Sequence, residues 1–259
     1  MTPFQGQVAV VTGASSGIGK AVALSLAEHG ATVCLVARRL HELEAIASSS
    51  RTIPSELLPY QADLSKEEDL NQLVARVRGD FKNIDILVHS ASIISMGRVA
   101  HAPLCDFERQ YRIHVLAPYA LTQAVLPMLT PRRGQIVFVN SSAGVVAMEN
   151  VSQYAATKHA LKAIADSLRE EVNADGIRVL SVHPGRTATP LQATLCAMEN
   201  KPYRPENLMQ ASDVAAVIIN ALSLPRTAEV TEIRMRPFKR PTDQLASRPF
   251  AGPLSTHVE

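Results

Sequence analysis

Short apolar runs recur along the chain and are separated by longer stretches in which polar residues dominate. The runs are rich in Val, Ile and Leu, which is typical of strands that are buried on both faces of a parallel sheet. Strands are predicted at Gln7–Thr12, Thr32–Ala37, Glu56–Tyr60, Ile84–His89, Gln135–Asn140, Ile177–His183 and Glu229–Met235.

Apolar residues at helical spacing fill most of the gaps between these strands. Ser65 and Glu68 form a predicted capping box before one helix, and Ser212 with Asp213 is predicted to begin another. Strands that alternate with helices favour βαβ units with right-handed crossovers. The predicted architecture is a single-domain α/β Rossmann fold, with a doubly wound, mostly parallel seven-stranded sheet and helices on both faces.

Length and charge narrow the possible partners. A chain of 259 residues can bury one substantial core but is short for two ordinary domains. The formal charge is +2 and the basic residues are scattered, so neither nucleic acid nor a membrane surface is expected as a partner. Cys34, Cys105 and Cys196 match no metal-ligand spacing, so buried free thiols and no metal site are expected.

The start of the chain is not expected to be a targeting signal. The first six residues lack the basic and apolar regions of a secretory signal, and no segment is expected to cross a membrane. A soluble, cytoplasmic protein is therefore expected. After Met235 the chain becomes rich in proline and poor in large apolar residues, so residues 1–236 are predicted to form the domain and 237–259 a flexible tail.

A glycine-rich segment joins the first predicted strand to the helical pattern that follows it. Such a turn is a phosphate cradle, because glycine lets the backbone approach a pyrophosphate and the helix N-terminus supplies N–H groups. A glycine-rich turn by itself would also suit any α/β protein. The predicted dinucleotide contacts in this segment are Gly13, Ser15, Ser16, Gly17, Ile18 and Gly19.

The end of the second predicted strand distinguishes NAD from NADP. A carboxylate at this place binds the adenosine ribose and repels a 2′-phosphate, whereas guanidinium groups bind that phosphate. Here Ala37 is followed by Arg38 and Arg39, so NADP is predicted and NAD is less favoured, with Arg38 as the stronger candidate. The alternative is that one or both arginines are solvated charges at the start of the next helix.

Tyr154 and Lys158 lie four residues apart in a helical pattern, so both project from the same face. A tyrosine can protonate the oxygen of a carbonyl that is being reduced, although its ordinary pKa is about 10. An adjacent ammonium stabilises the phenolate, so Lys158 is expected to lower the pKa of Tyr154. The pair therefore predicts proton transfer at a carbonyl or alcohol.

The spacing Gly-x-x-x-Gly-x-Gly and the Tyr-x-x-x-Lys pair together resemble the short-chain dehydrogenase/reductase family, from about Gly6 to Met235. This resemblance implies an NADP(H)-dependent oxidoreductase that transfers a hydride between the nicotinamide and a small apolar ketone or secondary alcohol. It also implies that Ser141, 13 residues before Tyr154, polarises the substrate carbonyl. Ser142 fits better as a serine that satisfies the backbone at the strand end.

The resemblance implies further contacts with the cofactor. Lys158 would hold the nicotinamide ribose, and Asp63 would bind the adenine ring. Asp63 is not expected to cap the next helix, because Ser65 is expected to be its cap. The end of the fourth strand would pass close to the cofactor. The remaining predicted contacts are Ser90, Ala91, Pro184, Gly185, the backbone of Thr187 and the hydroxyl of Thr189.

Two places depart from the family's pattern. The fourth strand ends His89-Ser90-Ala91-Ser92 where the family has Asn-Asn-Ala-Gly, so only the alanine is kept and Ser92 replaces a glycine. His114 stands where the family has the asparagine of its catalytic tetrad. Pro118, four residues after His114, has no N–H for the carbonyl of residue 114. By resemblance that carbonyl would hold a water in a proton relay, so His114→Asn is expected to retain most activity. The alternative is a buried histidine that packs against a neighbouring helix.

The substrate is expected beyond the carboxyl ends of the strands, walled by Ile93–Met96, Val145–Met148 and a lid at Pro190–Met209. The lid carries the large apolar residues Leu191, Leu195, Met198, Tyr203, Leu208 and Met209. Two other functions stay open, a non-catalytic NADP-binding regulatory protein and an epimerase or dehydratase of the same family type. The apolar helices around residues 116–129 and 155–168 predict a homodimer or homotetramer.

Overall fold

The computed structural model describes residues 2–50, 53 and 55–238. The predicted strands are all present, and their boundaries differ from prediction by at most three residues. The strands are β1 (Val8–Thr12), β2 (Thr32–Ala37), β3 (Leu57–Gln61), β4 (Ile86–His89), β5 (Gln135–Val139), β6 (Arg178–Pro184), the short β7 (Thr187–Ala188) and β8 (Met209–Gln210), and β9 (Glu232–Met235).

The main sheet has seven strands in the order β3-β2-β1-β4-β5-β6-β9, and every neighbouring pair is parallel. The predicted fold class is therefore confirmed. From β1 the sheet continues through β2 to β3 on one side, and from β4 it continues through β5 and β6 to β9 on the other. The topological switch point is therefore the gap between β1 and β4. In open α/β sheets a ligand binds outside the carboxyl ends of the strands at this point.

Helices cover both faces of the sheet. On one face, α1, α2 and α8 bury residues such as Leu26, Leu43 and Ile218. On the other face, α3, α5 and α6 bury residues such as Leu73 and Leu161. The helices are α1 (Gly17–Glu28), α2 (Leu40–Ser49), α3 (Glu67–Asp80), α4 (Leu104–Tyr111), α5 (Ala117–Leu129), α6 (Ser152–Val172), α7 (Pro190–Met198) and α8 (Ala211–Leu222).

Helices α4 and α5 are joined without a break by a π-helical segment, Arg112–Leu116. The N–H of Ala117 donates to the carbonyl of Arg112, five residues back. Pro118 lies just after this segment and has no N–H to donate, so the ordinary helical ladder is interrupted here. The segment carries His114, whose side chain is 1% exposed.

One helical run has the length and composition of a membrane span, although no segment was expected to cross a membrane. The run Leu104–Arg132 contains an 18-residue window that is long and apolar enough to cross a membrane by length and composition. Just over half of that window is buried inside the protein. Its apolar residues follow from packing on the sheet, where α5 buries Leu121, Val125 and Leu129.

Two predicted helix starts differ in their chemistry. Ser65 does not cap α3, because its backbone N–H and its hydroxyl both donate to the Asp63 carboxylate, at 3.0 and 2.7 Å. Helix α8 begins before Ser212, and its capping box pairs Gln210 with Asp213. A serine near a helix start can bond either to the turn before the helix or to the first N–H groups of the helix, and these two hydrogen bonds compete.

The expected burial of the cysteines is confirmed at two of three positions. Cys34 and Cys196 are buried, but Cys105 is exposed near the start of α4. Burial raises the pKa of Cys34 to about 12. The predicted tail lies outside the described residues except for Pro237 and Phe238.

Candidate active site

A cleft of about 540 Å³ opens at the carboxyl ends of the parallel strands, across the switch point between β1 and β4. Most residues that the sequence singled out line this cleft. Lys158 and His114 do not, because both are buried directly behind it. The predicted residues that line it are Gly13, Ser15, Ser16, Gly17, Ile18, Gly19, Arg38, Arg39, Asp63, Ser90, Ala91, Ser141, Tyr154, Pro184, Gly185, Thr187 and Thr189.

The glycine turn after β1 has a geometry that only glycine allows. Gly13 has φ +69°, and a Cβ there would lie 2.8 Å from the backbone of Ala91. A Cβ on Gly19 would collide with the carbonyl of Gly13, so α1 packs directly on the end of β1. The turn therefore brings backbone N–H groups and a helix N-terminus to the cleft, which fits a pyrophosphate.

Thr12 is a site residue that the sequence reasoning overlooked. Its hydroxyl accepts hydrogen bonds from the N–H groups of Ser90 at 3.0 Å and Ala91 at 3.3 Å, and donates to the carbonyl of Val88 at 3.2 Å. Thr12 therefore holds the loop after β4 against the glycine turn. A buried polar residue at the end of an apolar strand was the available signal.

The two arginines after β2 have different surroundings. Arg39 precedes α2 and binds Glu42 through two contacts, at 2.7 and 2.8 Å. Arg38 lines the cleft, and no ion pair engages it within the described part of the chain. The alternative of a charge at a helix start thus describes Arg39, whereas Arg38 fits a phosphate.

The carboxylate of Asp63 accepts two hydrogen bonds from Ser65. The expectation was that Ser65 would cap the next helix and leave the Asp63 carboxylate available to the cofactor. Hydrogen bonds from Ser65, with smaller contributions from the charges of Arg38 and Lys66, hold the pKa of Asp63 below its ordinary value despite burial. The N–H of Asp63 donates to Asp69 at 2.8 Å. Asp63 is thus a fixed anion at the rim of the cleft.

Tyr154 and Lys158 project from the same face of α6, with Lys158 Nζ 5.7 Å from the centre of the Tyr154 ring. Burial lowers the pKa of Lys158 to about 7. Burial also raises the pKa of Tyr154, and the side chains of Ser141 and Ser92 lower it. The expectation that Lys158 lowers the pKa of Tyr154 is not met, because burial outweighs every other influence on both groups.

Ser141 follows β5 and faces the Tyr154 phenol. Its hydroxyl accepts a hydrogen bond from the N–H of Ala143 at 3.1 Å, so Ser141, and not Ser142 as predicted, satisfies the backbone at the strand end. Because an N–H group occupies its acceptor side, the Ser141 hydroxyl can donate its own proton to a carbonyl oxygen.

Asn140 positions helix α6 and was not singled out by the sequence reasoning. Its side-chain Nδ2 donates to the backbone carbonyl of Lys158 at 3.0 Å. Gly144 allows this approach, since a Cβ there would lie 2.6 Å from Asn140 Oδ1 and 2.8 Å from the Lys158 carbonyl. The end of β5 thus holds the backbone of the lysine as well as presenting Ser141.

The imidazole of His114 is bonded at both nitrogens. Nε2 lies 3.1 Å from the N–H of Ile93 and 3.0 Å from the hydroxyl of Ser92. Nδ1 lies 2.8 Å from the hydroxyl of Thr157 on α6. The position of His114 therefore matches the alternative of a buried histidine that packs against a neighbouring helix. Both nitrogens of its imidazole have hydrogen-bond partners.

The segment after β6 closes one end of the cleft. The Gly185 N–H donates to the Met235 carbonyl at 2.8 Å, which fixes the turn to the last strand. Thr189 is the N-cap of α7, where its hydroxyl accepts from the N–H of Gln192 at 3.2 Å. The same hydroxyl donates to the carbonyl of Thr187 at 3.3 Å, so the hydroxyl that was predicted to contact the cofactor already has two structural partners.

The substrate end of the cleft is less apolar than predicted. Leu191, Leu195 and Met148 line it, but so do charged Arg109 and Glu199. The other apolar residues proposed for the lid lie elsewhere: Met198, Tyr203, Leu208 and Met209 do not line the cleft. Met198, the last residue of α7, and Tyr203, in the segment after it, are exposed to solvent.

The end of α7 is tied to the turn after β6 by an ion pair. Arg186 Nη2 lies 2.6 and 2.9 Å from the two carboxylate oxygens of Glu199. Lys201 adds a longer contact to the same carboxylate at 3.6 Å. The substrate end is therefore held by a charged pair that the hydrophobic pattern did not reveal.

Comparisons with known proteins agree with this geometry. The family model for short chain dehydrogenase matches residues 7–200. An uncharacterized oxidoreductase of Staphylococcus aureus is 29% identical over 238 residues, covering 92% of this chain and all of that protein.

Solved structures give the same result. An alcohol dehydrogenase of the archaeon Thermococcus sibiricus, complexed with 5-hydroxy-NADP, has a TM-score of 0.83 and 27% identity, covering 91% of this chain and 98% of that chain. L-sorbose reductase of Gluconobacter frateurii, complexed with NADPH and L-sorbose, has a TM-score of 0.81 and 27% identity, covering 91% of this chain and 97% of that chain. The chain belongs to the short-chain dehydrogenase family, and it is an oxidoreductase of that type.

Proposed function

We propose that this oxidoreductase uses NADP(H) to interconvert a carbonyl group and a secondary alcohol on a small molecule, with Tyr154 as the general acid and base. The observation that carries the proposal is the meeting of Tyr154, Ser141 and Lys158 at the inner end of a cleft shaped for a dinucleotide. A carbonyl oxygen placed between the two hydroxyls would be polarised by Ser141 and protonated by Tyr154.

Each residue has a distinct part in this mechanism. When it is bound, the cofactor would supply the hydride from its nicotinamide ring. The glycine turn and the helix N-terminus of α1 would hold the pyrophosphate, and Lys158 would hold the nicotinamide ribose from behind the phenol. Asn140 and Gly144 keep the backbone of Lys158 against the end of β5, so the catalytic groups are held on rigid elements.

NADP is favoured over NAD by Arg38 and by the neighbours. Two similar structures are complexes with 5-hydroxy-NADP and with NADPH. In this chain the second strand ends without a carboxylate, and Arg38 lies in the cleft. A guanidinium there would bind the 2′-phosphate that distinguishes NADP.

Reversing the charge at Arg38 is expected to change the cofactor preference. Arg38→Asp should lower kcat/KM for NADPH about 100-fold while leaving that for NADH within a few fold, because a charge-assisted bond to the 2′-phosphate is replaced by repulsion. Arg39→Asp is the matched control and should cost about tenfold or less, because Arg39 is bound to Glu42. Equal losses in both variants, measured by steady-state kinetics, would contradict the assignment to Arg38.

A homodimer or homotetramer is part of the proposal. The run of α4, the π-segment and α5 exposes large apolar side chains, which is typical of a surface that pairs with a second subunit. These are Leu104, Tyr111, Leu116 and Tyr119.

The proposed activity is tested by NADPH oxidation with a panel of aliphatic, aromatic, β-keto and ketose carbonyl compounds, with NADH in parallel. We expect turnover on at least one compound and a preference for NADPH. Preference for NADH would overturn the cofactor assignment. Tight NADPH binding without turnover on any compound would favour a non-catalytic NADP-binding protein, and cofactor recycling without net oxidation would favour an epimerase or dehydratase.

A further inference from the structure

Two of the residues that depart from the family's pattern, Ser92 and His114, are in contact with each other. The hydroxyl of Ser92 lies 3.0 Å from Nε2 of His114, although the residues are 22 positions apart. Ser92 belongs to the loop after β4, and His114 to the π-segment between α4 and α5. Because glycine and asparagine at these positions could not make this contact, the two departures form one structural unit.

Hydrogen bonds fix the orientation and the tautomer of the imidazole. The N–H of Ile93 donates to Nε2 at 3.1 Å, so Nε2 is an acceptor and the ring proton lies on Nδ1. Nδ1 then donates to Thr157 Oγ1 at 2.8 Å, and Thr157 donates to the carbonyl of Tyr154 at 2.8 Å. Burial, and next the charge of Lys158, hold the pKa of His114 well below its ordinary value, so the ring is neutral.

Ser92 lies near the reacting phenol, because Ser92 and Tyr154 both lie against the imidazole of His114. It lines the cleft with Tyr154, and its side chain lowers the pKa of Tyr154, as that of Ser141 does. The titratable groups that face Tyr154 are Lys158 on its own helix and His114, whose ring meets the phenol edge-on with centres 5.4 Å apart. Of the two serines, only Ser92 is bound to the imidazole of His114.

We propose that Ser92 is a further catalytic residue of the proposed reductase, a hydroxyl that His114 holds beside Tyr154 and that stabilises the phenolate formed when Tyr154 protonates the substrate. The proposal rests on the proposed function. In the resting enzyme the Ser92 proton points to Nε2 of His114. When the O–H bond of Tyr154 breaks and an O–H bond forms on the substrate oxygen, Ser92 keeps its proton and turns it toward the phenolate oxygen.

This arrangement compensates for a weakness of the site. Burial makes the phenolate unfavourable, and Lys158 itself loses its proton readily because burial lowers its pKa to about 7. A second hydroxyl beside Ser141 gives the phenolate two neutral donors whose proton does not depend on the pH. His114 is a positioning residue, since it acts on Tyr154 only through Ser92.

Replacing the hydroxyl tests the proposal. Ser92→Ala is expected to lower kcat about tenfold and to raise the pKa of the pH profile of alcohol oxidation by about one unit, with unchanged NADPH affinity. Ser92→Thr keeps a hydroxyl and should restore most of the shift. Ser167→Ala, which removes an exposed hydroxyl on α6 away from the cleft, should leave the profile unchanged.

A titration without turnover separates this proposal from the proposed function. Tyrosinate absorbance is measured against pH, and the Tyr154→Phe spectrum is subtracted to isolate Tyr154. Ionisation about one unit higher in Ser92→Ala supports the role of Ser92 even if no carbonyl compound is turned over. An unchanged ionisation of Tyr154, together with an unchanged pH profile, would overturn the proposal.

A double-mutant cycle tests whether His114 acts through Ser92. His114→Asn should lower kcat about tenfold with the same rise in the pKa of the profile, which differs from the sequence-based expectation that most activity is retained. The double variant Ser92→Ala with His114→Asn should lose no more than either single variant, because the residues act as one unit. Losses that multiply would show that the two residues act independently and would overturn their coupling.

Discussion

Tyr154→Phe is expected to lower kcat about 10³-fold while NADPH binds with unchanged affinity. The phenol is the proposed proton donor to the substrate oxygen, and positioned acid catalysis contributes about 10²- to 10⁴-fold. The phenyl ring of phenylalanine fills the same buried space, so the cleft keeps its shape. Steady-state kinetics on the best compound of the panel and a fluorescence titration with NADPH measure the two quantities.

Tyr203→Phe is the matched control, because Tyr203 is 39% exposed and does not line the cleft. It should leave kcat within a factor of two. If Tyr154→Phe kept more than a tenth of the activity, another group would be the acid, and Ser141 would be the first residue to examine because it faces the same oxygen.

Lys158→Met is expected to remove activity and stabilise the fold at the same time. Lys158 is 1% exposed, and burial lowers its pKa from 10.5 to about 7. Burying an ammonium costs several kcal/mol, since one pKa unit corresponds to about 1.36 kcal/mol. Methionine fills similar space without charge, so we expect kcat to fall about 100-fold and the free energy of unfolding to rise by about 2 kcal/mol near pH 6.

The pH dependence gives the sign of this effect. Below about pH 7 the lysine is protonated in both states, so the folded protein bears the full burial cost. Between about 7 and 10.5 the folded state has lost the proton and the unfolded chain keeps it, so the cost falls as pH rises. The stabilisation in Lys158→Met should therefore be smaller near pH 9 than near pH 6 in urea unfolding without cofactor.

Lys162→Met is the control for this stability measurement. Lys162 lies one turn further along α6, partly exposed, and binds Asp166 at 2.5 Å and Glu232 at 3.6 Å. Its replacement should not stabilise the protein at either pH. A Lys158→Met variant that is less stable than the wild type near pH 6 would show that the ammonium is well compensated in the folded state.

The sheet could be predicted from the sequence because buried parallel strands are recorded locally, as short runs of β-branched and apolar residues. Gly13 and Gly19 could be predicted for the same reason, since a turn that no side chain fits requires glycine at fixed spacing. Ser141 could be selected by its distance along the chain from Tyr154.

What the sequence could not predict depends on which side chains pair, either with a neighbour in the chain or across distant elements. Ser65 has the residue type of a helix cap, but its hydroxyl binds Asp63 in the preceding turn. The two arginines after β2 look equivalent in the sequence, and only the ion pair with Glu42 distinguishes them. Ser92 and His114 each read as a departure from a pattern, and their contact required the loop after β4 to meet a helix.

The π-segment sets the rotation of the helix that precedes it. Its wider turn takes up one residue more than an α-helix would, and one residue turns an α-helix by about 100°. Deleting one residue from Arg112–Leu116 would remove the extra residue of the wide turn and swing α4 around its own axis, carrying Arg109 away from the cleft. The face that α4 turns toward the cleft thus depends on the number of residues in the π-segment as well as on their identities. A relative without the extra residue would turn a different face of α4 toward its cleft.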